Sequence, residues 1–333
     1  MPDMLYGEIW EAGLARIRAL GREADLVLAA ETQASARLTR EYFDRIAFEM
    51  RLLDPVAADL RTSLFGLDLS SPIVAAPLSF GRVLGLLAAH GPQYGTGYLE
   101  PIAHGVKEAG SLMGVGVAPS EQLQSVIEVG APTYVIVKPY RERERLRYKL
   151  RDAEARGAVA VGIDIDVGFQ VRTRYEPLGE AYAAPMSVAE LRDARSQTRL
   201  PFIVKGVLSV HDALKAREAG ADAIVVCHHG GEIVDYSVPP LKVLPAIVTA
   251  LDGSGVVVLV GSGFRTGTDI VKALALGAHA VLLATPLIVG LAAAAADGVR
   301  DLLRALNDEV RRNLSILGCA SPRAIDPTVL HFL

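Results

Sequence analysis

The chain has 333 residues, 51% of them hydrophobic, and a formal net charge of −4. This length and apolar content suffice for one large domain with a shielded core. The charge balance excludes a nucleic acid or an anionic membrane as the expected partner. The two cysteines, Cys227 and Cys319, form no metal-binding or redox motif, so we expect a reduced, cytoplasmic setting and no metal.

The N-terminal part of the chain shows a helical pattern and no signal-peptide pattern. Residues 1–50 form this extension, and its apolar face contains Ile9, Leu14, Ile17 and Leu20. We expect the extension either to plug the bottom of the following domain or to flank its opening.

Eight short apolar or β-branched runs follow, and several are apolar on both faces, which is typical of parallel strands covered on both sides. They span residues 73–76, 112–116, 134–137, 159–164, 202–205, 223–227, 256–260 and 280–284. Helical patterns lie between them at residues 121–130, 141–157, 188–198, 210–220, 240–251 and 266–277. The apolar stretch 280–296 is broken by proline and glycine and is too short to predict a membrane span.

Eight strands alternating with helices predict an α/β fold, a (β/α)8 TIM barrel with an N-terminal helical extension. A doubly wound sheet is the alternative, but no GxGxxG motif follows the first strand. We expect a single domain over residues 1–333, with the barrel at about 60–300 and a C-terminal helix and tail at 297–333.

Two long loops follow the first and fourth strands, at residues 81–97 and 167–185, and the second contains Arg172. In a barrel both loops would lie on the catalytic face, where they could act as lids or substrate walls.

Candidate site residues, several of them charged or titratable, follow the strands at their C-terminal ends, where barrel enzymes place catalytic groups. These candidates are Pro77, Leu78, Ser79, Lys138, Asp164, Asp166, Lys205, Cys227, His228 and His229. Lys205 ends an apolar strand, so its charge requires an anionic partner. His229 could be a general base, and Asp166 could be the carboxylate that orients it.

The loop after the seventh strand reads GSGFRTGTD and predicts a phosphate site. Its small residues, Gly263 among them, let backbone N–H groups approach an anion, and Arg265 adds positive charge. Barrels commonly bind phosphate at their seventh and eighth loops.

The motifs VKGV at 204–207, HGG at 229–231, DYSVPPLKVLP at 235–245 and GFRTGTDIVKALALGA at 263–278 occur in this order. With AETQASARLTREYFDRI at 30–46 and GCASPRAID at 318–326, the chain resembles the FMN-dependent α-hydroxy-acid oxidase/dehydrogenase family over nearly its whole length.

The resemblance implies an oxidoreductase with FMN at the C-terminal face of the barrel and a small-molecule substrate. Pro77, Leu78 and Ser79 would run along the flavin edge, with Cys227 also in contact with the cofactor. Lys205 would lie near N1 and O2 of the ring, and Gly263 and Arg265 would hold the phosphate. His229 would take a proton from the substrate, with Asp166 as its partner. Assembly as a homo-oligomer, a tetramer in many family members, is also implied.

The chain also departs from the family pattern. The arginine that follows HGG and clamps the substrate carboxylate is here Glu232. Lys138 stands in place of an active-site tyrosine, Asp164 in place of a threonine, and His228 in place of an asparagine. We therefore expect a non-standard substrate, contacted by Lys138, Asp164, His228, Glu232 and Arg172.

Two alternatives remain open at this stage. A non-redox barrel enzyme could use a lysine of lowered pKa as a Schiff base, as aldolases do, or could use flavin as an isomerase. A non-catalytic family member with weakened FMN binding is the other alternative.

Overall fold

The computed structural model describes residues 5–26, 29–79, 97–169 and 183–333, and the backbone of 171–172 and 177–178. The helices of this part of the chain are α1 Tyr6–Ala19, α2 Ala34–Asp44, α3 Leu99–Glu108, α4 Ser120–Glu128, α5 Arg143–Ala155, α6 Val188–Arg195, α7 Val210–Glu218, α8 Pro240–Ala250, α9 Gly267–Ala275 and α10 Thr285–Ile316. The strands are β1 Ile46–Phe48, β2 Thr62–Leu64, β3 Leu67–Leu69, β4 Ile73–Ala75, β5 Met113–Val115, β6 Thr133–Val137, β7 Ala160–Asp164, β8 Val171–Arg172, β9 Pro177–Leu178, β10 Phe202–Val207, β11 Ala223–Val226, β12 Val257–Val260, β13 Ala280–Leu283 and β14 Leu330–Phe332.

Eight parallel strands form the central sheet in the order β4-β13-β12-β11-β10-β7-β6-β5. The first and last strands of this order also meet, because Ala75 N donates to Leu112 O at 2.9 Å and Leu78 N donates to Gly114 O at 3.3 Å. The sheet therefore closes on itself, and the predicted (β/α)8 barrel is confirmed. Each predicted strand overlaps an observed one, with ends that differ by one or two residues.

Apolar side chains fill the interior of the barrel, among them Val74, Ile136, Ile203 and Leu259. The hairpin β2–β3 adds Leu64 and Leu69 to the same cluster, just before the chain enters β4. Strands covered on both faces require apolar residues at almost every position, and this requirement explains the short unbroken runs in the sequence.

The N-terminal extension flanks the opening of the barrel, one of the two positions expected for it. Helix α1 buries Ile9 and Ile17 and packs along α10, whereas Leu20, which was predicted to belong to the same apolar face, is 38% exposed. The extension is not helical throughout, because β1 pairs antiparallel with β14 near the C-terminus. Among the described helices, none combines the length and the apolar character needed to cross a membrane.

Helix α3 follows the first barrel strand and was not predicted, because Pro101 and Gly105 interrupt the helical pattern of its sequence. Pro101 is tolerated in the first turn, where its missing N–H has no intrahelical partner. Gly105 is required by packing, since a Cβ at this position would lie 2.6 Å from Ala296 O of α10. The first long loop lies outside the described residues except for Gly97, and the second is described only in part, without the side chain of Arg172.

The contact between α1 and α10 gives a test of the packing around the opening. A Cβ at Gly13 would lie 2.2 Å from Val289 O, so we expect Gly13→Ala to lower the free energy of unfolding by about 2–3 kcal/mol. Gly7→Ala is the matched control in the same helix, because a Cβ there meets no atom within 4 Å. Urea denaturation followed by circular dichroism would measure both, and equal stability of the two variants would contradict the close packing.

Candidate active site

Three charged side chains emerge from neighbouring barrel strands at the same rim. Asp164 is the last residue of β7, Lys205 lies beside it in register on β10, and Lys138 directly follows β6. Because the strands are parallel, their carboxyl ends meet at one edge, where barrel enzymes bind their substrates.

Asp164 binds both lysines. Its Oδ1 accepts a hydrogen bond from Lys205 Nζ at 2.7 Å, and its Oδ2 accepts one from Lys138 Nζ at 2.7 Å. Burial alone would raise the pKa of Asp164, but the ammonium groups of Lys138 and Lys205 outweigh it and hold that pKa well below its usual range. Burial also opposes charge on Lys205, yet Asp164 raises the pKa of Lys205, so the ammonium group stays charged.

The imidazole of His229 lies next to this cluster. Its Nδ1 is 3.3 Å from Asp166 Oδ1, 3.5 Å from Asp164 Oδ2 and 3.1 Å from Lys205 Nζ. Burial and Lys205 lower the pKa of His229, but Asp164 and Asp166 outweigh them, and the pKa lies above its usual value. Burial and the charge of Asp164 raise the pKa of Asp166 in turn.

A bulge in β10 makes room for Asp166. The register between β10 and β11 shifts between Lys205 and Val207, and the intervening Gly206 has a φ of 93°. A Cβ at Gly206 would lie 2.6 Å from Asp166 Cγ, so only glycine allows the carboxylate to approach. Gly206 thereby determines how close Asp166 comes to His229.

His228 is in a different state from its neighbour. Thr39 Oγ1 donates its one proton to Ser35 O at 2.8 Å, so it must accept the hydrogen bond from His228 Nε2 at 2.7 Å. Burial lowers the pKa of His228 to about 4. His228 is therefore neutral and protonated on Nε2, and it is poorly suited to act as a base.

Glu232 follows the turn His229–Gly231 and is 7% exposed. Its Oε2 lies 4.0 Å from His229 Nε2, on the side of the ring opposite Asp166. The imidazole thus has carboxylates near both of its nitrogens, an arrangement that favours the imidazolium ion.

Asp164, Asp166 and His229 present ligand atoms within 4.8 Å of one another, a spacing that could hold a metal ion. Both carboxylate oxygens of Asp164, however, accept hydrogen bonds from lysine ammonium groups. We interpret the three residues as part of an ion-pair cluster, because a cation would have to displace those lysines.

A cavity of about 380 Å³ opens at this rim, within the size range of small-molecule and cofactor sites. The predicted residues that line it are Pro77, Leu78, Ser79, Lys138, Lys205, Cys227, His228, His229, Glu232, Gly263 and Arg265. Asp164 and Asp166 lie behind this wall and act on the cavity through Lys205, Lys138 and His229. Burial raises the pKa of the Cys227 thiol to about 11, so it remains protonated.

The loop between β12 and α9 supplies free hydrogen-bond donors at one end of the cavity. Ser262 and Gly263 both have positive φ values, of 79° and 83°. Within the described part of the chain, the backbone N–H groups of Gly263 and Phe264 donate to no protein acceptor. The exposed Arg265 adds a cation, and Thr285 at the N-terminus of α10 lies on the same wall. This end of the cavity suits an anionic group such as a phosphate.

Sequence reasoning missed the residues that the N-terminal helices bring to the cavity. Trp10 and Leu14 of α1 and Thr39 and Arg40 of α2 all line it. Arg40 Nη1 donates to Gly263 O at 2.9 Å and to Asp269 at 2.8 Å, so α2 positions the anion-binding loop. No local motif marks these residues, since their role depends on how the extension packs.

The sequence model described as FMN-dependent dehydrogenase matches residues 26–186 and 170–332. The chain belongs to this family. Together these segments cover most of the chain, including every predicted site residue. The predicted family is confirmed.

Curated relatives match over shorter segments. The chain is 47% identical over 138 residues to a 4-hydroxymandelate oxidase of Amycolatopsis orientalis, which is 41% of this chain and 38% of the relative. It is 42% identical over 142 residues to an L-lactate oxidase of Nostoc, which is 43% of this chain and 39% of the relative. The matched segments thus span about two-fifths of the length of these relatives.

Solved structures match over the whole fold. A crystal structure of mandelate oxidase has a TM-score of 0.84 and 29% identity, covering 98% of this chain and 97% of the other. A mandelate oxidase variant with a monooxide FMN adduct has a TM-score of 0.82 and 31% identity, covering 96% of this chain and 98% of the other.

The cavity fits the FMN that the family requires. Val225, Cys227 and Leu282 give it an apolar bottom for a flat ring, and Lys205 provides a cationic edge. The free N–H groups and Arg265 provide the anion site that a phosphate needs. The prediction of FMN as cofactor is confirmed, and its binding residues are assigned below.

Proposed function

We propose that this chain is an FMN-dependent oxidoreductase that oxidises a CH–OH or CH–NH group of a small molecule other than an ordinary 2-hydroxy acid. The observation that carries the proposal is His229, bonded through Nδ1 to Asp166 and Asp164 and placed in the same cavity wall as Lys205. A base and a fixed cation in one cavity suit the removal from one substrate of a proton, taken by the base, and of a hydride equivalent, one proton with two electrons, taken by the acceptor.

Several of the residues that line the cavity have roles toward the cofactor in this proposal. Bound FMN supplies the two-electron acceptor. Pro77, Leu78, Ser79 and Cys227 contact it, and Gly263 and Arg265 hold its phosphate. Lys205 stabilises negative charge that develops in the cavity.

His229 is the proposed base. Its raised pKa means that more of it is protonated, and hence inactive, at the lower end of the neutral pH range. Asp166 orients the ring through Nδ1, which leaves Nε2 to face the substrate. The same carboxylates stabilise the imidazolium ion that forms when His229 takes up the substrate proton.

Glu232 supports the non-standard substrate. On this proposal, Glu232 would stand where the family has the arginine that clamps the substrate carboxylate. A carboxylate that is 7% exposed in the cavity wall repels another carboxylate and attracts a cationic or neutral polar group, such as an amine or amino alcohol. Lys138 and His228 would complete the substrate contacts, together with Arg172. Asp164, which the sequence also predicted as a substrate contact, lies behind the cavity wall and acts there through Lys138 and Lys205.

The proposal also covers the location of the protein and its assembly. We propose a cytoplasmic location and assembly as a homo-oligomer, with a tetramer as one arrangement. Leu287, Val289 and Leu291 of the apolar 280–296 segment are buried within the chain itself, so these side chains form part of the core.

The Schiff-base alternative conflicts with the charge state of Lys205. A nucleophilic lysine needs a lowered pKa, whereas Asp164 raises the pKa of Lys205 above its usual value. Flavin-dependent isomerisation and a non-catalytic role are distinguished by the experiments that follow, since neither requires net reduction of FMN by a substrate.

Cofactor binding tests the first part of the proposal. We expect FMN to bind with the visible spectrum of a protein-bound oxidised flavin, and Arg265→Ala to weaken FMN binding about 10–100-fold because a charged hydrogen bond is lost. Riboflavin, which lacks the phosphate, should bind wild type and variant equally. Arg61→Ala is the control, because Arg61 is exposed and pairs with Asp59 outside the cavity. Absence of an FMN complex would overturn the proposed function.

The base is tested by the pH dependence of anaerobic FMN reduction by substrate. We expect the rate to fall as the pH drops through a pKa above the usual histidine value, because protonated His229 cannot accept a proton. Asp166→Asn should shift this limb to lower pH, and His229→Gln should reduce the rate about 10²–10⁴-fold. His228→Gln should leave the limb in place, since His228 is already neutral above pH about 4. A limb that follows His228 would reverse the assignment.

Glu232 is tested by exchange of its charge. We expect Glu232→Arg to raise kcat/KM for a small 2-hydroxy acid by about 100-fold or more, corresponding to about 3 kcal/mol, and to lower it for an amino alcohol. Glu232→Gln, which removes repulsion without adding a bidentate donor, should give a much smaller gain. Efficient oxidation of 2-hydroxy acids by the wild type would contradict the assigned role of Glu232.

A further inference from the structure

Asp164 is hidden behind the cavity wall, whereas the two lysines that it binds are part of that wall. Lys138 and Lys205 line the cavity, and Asp164 does not. The residue is 2% exposed, and its two oxygens accept from the two ammonium groups at 2.7 Å each. The carboxylate therefore acts on anything in the cavity only through the cations in front of it and through its own field.

The shared carboxylate reduces the positive potential that Lys205 contributes to the cavity. Two opposite charges in contact produce a smaller net potential at a distance than either charge alone. Because Lys205 and Asp164 are buried, little water is present to screen their charges further. Lys138 donates a hydrogen bond to the other oxygen of the same carboxylate. Part of the negative charge of Asp164 is therefore offset by Lys138, and Asp164 neutralises Lys205 less completely. Among the described residues, the other groups that act on Lys205 include His229 at 3.1 Å, Cys227 and Asp166.

We propose that Asp164 is a positioning residue that lowers the midpoint potential of the bound FMN by screening Lys205, with Lys138 setting the extent of the screening. The inference rests on the proposed function, because it requires FMN in this cavity. Reduction places negative charge on the flavin ring, and a cation in the cavity wall stabilises that charge. A screened cation stabilises it less.

The test measures the FMN midpoint potential and the Kd for sulfite in four proteins: wild type, Asp164→Asn, Lys138→Met and the double variant. Sulfite adds reversibly to oxidised flavin and leaves negative charge on the ring, so its Kd reports the same electrostatics without turnover. Asp152→Asn is the control, because Asp152 is a largely buried carboxylate that pairs with Arg156 away from this cavity.

We expect Asp164→Asn to bind sulfite about tenfold more tightly than wild type. Its midpoint potential should rise by about 30 mV, which is a tenfold change in the equilibrium constant of a two-electron couple. Lys138→Met should shift both quantities in the opposite direction, because Asp164 then pairs with Lys205 alone. Asp152→Asn should change neither.

The double variant protects the test against loss of folding. Asp164→Asn leaves two lysines without their anion, which destabilises the fold, whereas the double variant removes one charge of each sign. Comparison of the double variant with Lys138→Met isolates the charge of Asp164 a second time, and the potential should again rise.

Two failures are distinguishable. If wild type binds no FMN, the proposed function fails and this inference fails with it. If FMN binds but its potential and sulfite affinity are unchanged or lowered when Asp164 is replaced in either background, the proposed function stands and the screening role of Asp164 is overturned.

Discussion

The hydrogen bonds from Lys205 and Lys138 to Asp164 are the interaction on which the rest of the site depends. All three groups are largely shielded from water, and removal of one partner from such a pair leaves an uncompensated buried charge that costs about 3–5 kcal/mol. The bonds fix where the Lys205 ammonium lies, and Lys205 in turn contacts Nδ1 of His229 at 3.1 Å. The position of His229, the proposed base, is thus determined partly by the ion pair between Lys205 and Asp164.

The barrel brings these groups together through close backbone packing. Asp164 and Lys205 are partners in the pairing of β7 with β10. Two residues earlier on β7, a Cβ at Gly162 would lie 2.1 Å from Ile203 O, so glycine is needed where the two strands approach. Gly206 serves the same purpose on the other side of Lys205, where it admits Asp166. Small residues inside the sheet are therefore part of the active-site geometry.

The sequence was sufficient to predict the barrel, because each buried strand is a short apolar run whose end is marked by a charged or turn residue. It was also sufficient to bring Lys205, His229 and Asp166 to one rim, since strand order fixes that. It did not reveal that Lys138 and Asp164 pair with each other, because they are 26 residues apart and their bond depends on side-chain direction. Thr39, which fixes the tautomer of His228, was equally hidden, since a helix far away in the sequence supplies it.

The charges of the site match the charges that the proposed reaction would create. When His229 accepts a proton it becomes a cation, and Asp166 and Glu232 lie near its two nitrogens to stabilise that cation. When electrons leave the substrate, negative charge arises elsewhere in the cavity, where Lys205 stands. The groups are held in place before the reaction begins, so little reorganisation is required. Asp164 links the two halves, because it is within 3.5 Å of His229 Nδ1 and also bonds Lys205. A stronger interaction of Asp164 with Lys205 leaves less of its negative charge to stabilise protonated His229, and the reverse also holds. Asp164 therefore influences both the base strength of His229 and the electron affinity of the cavity.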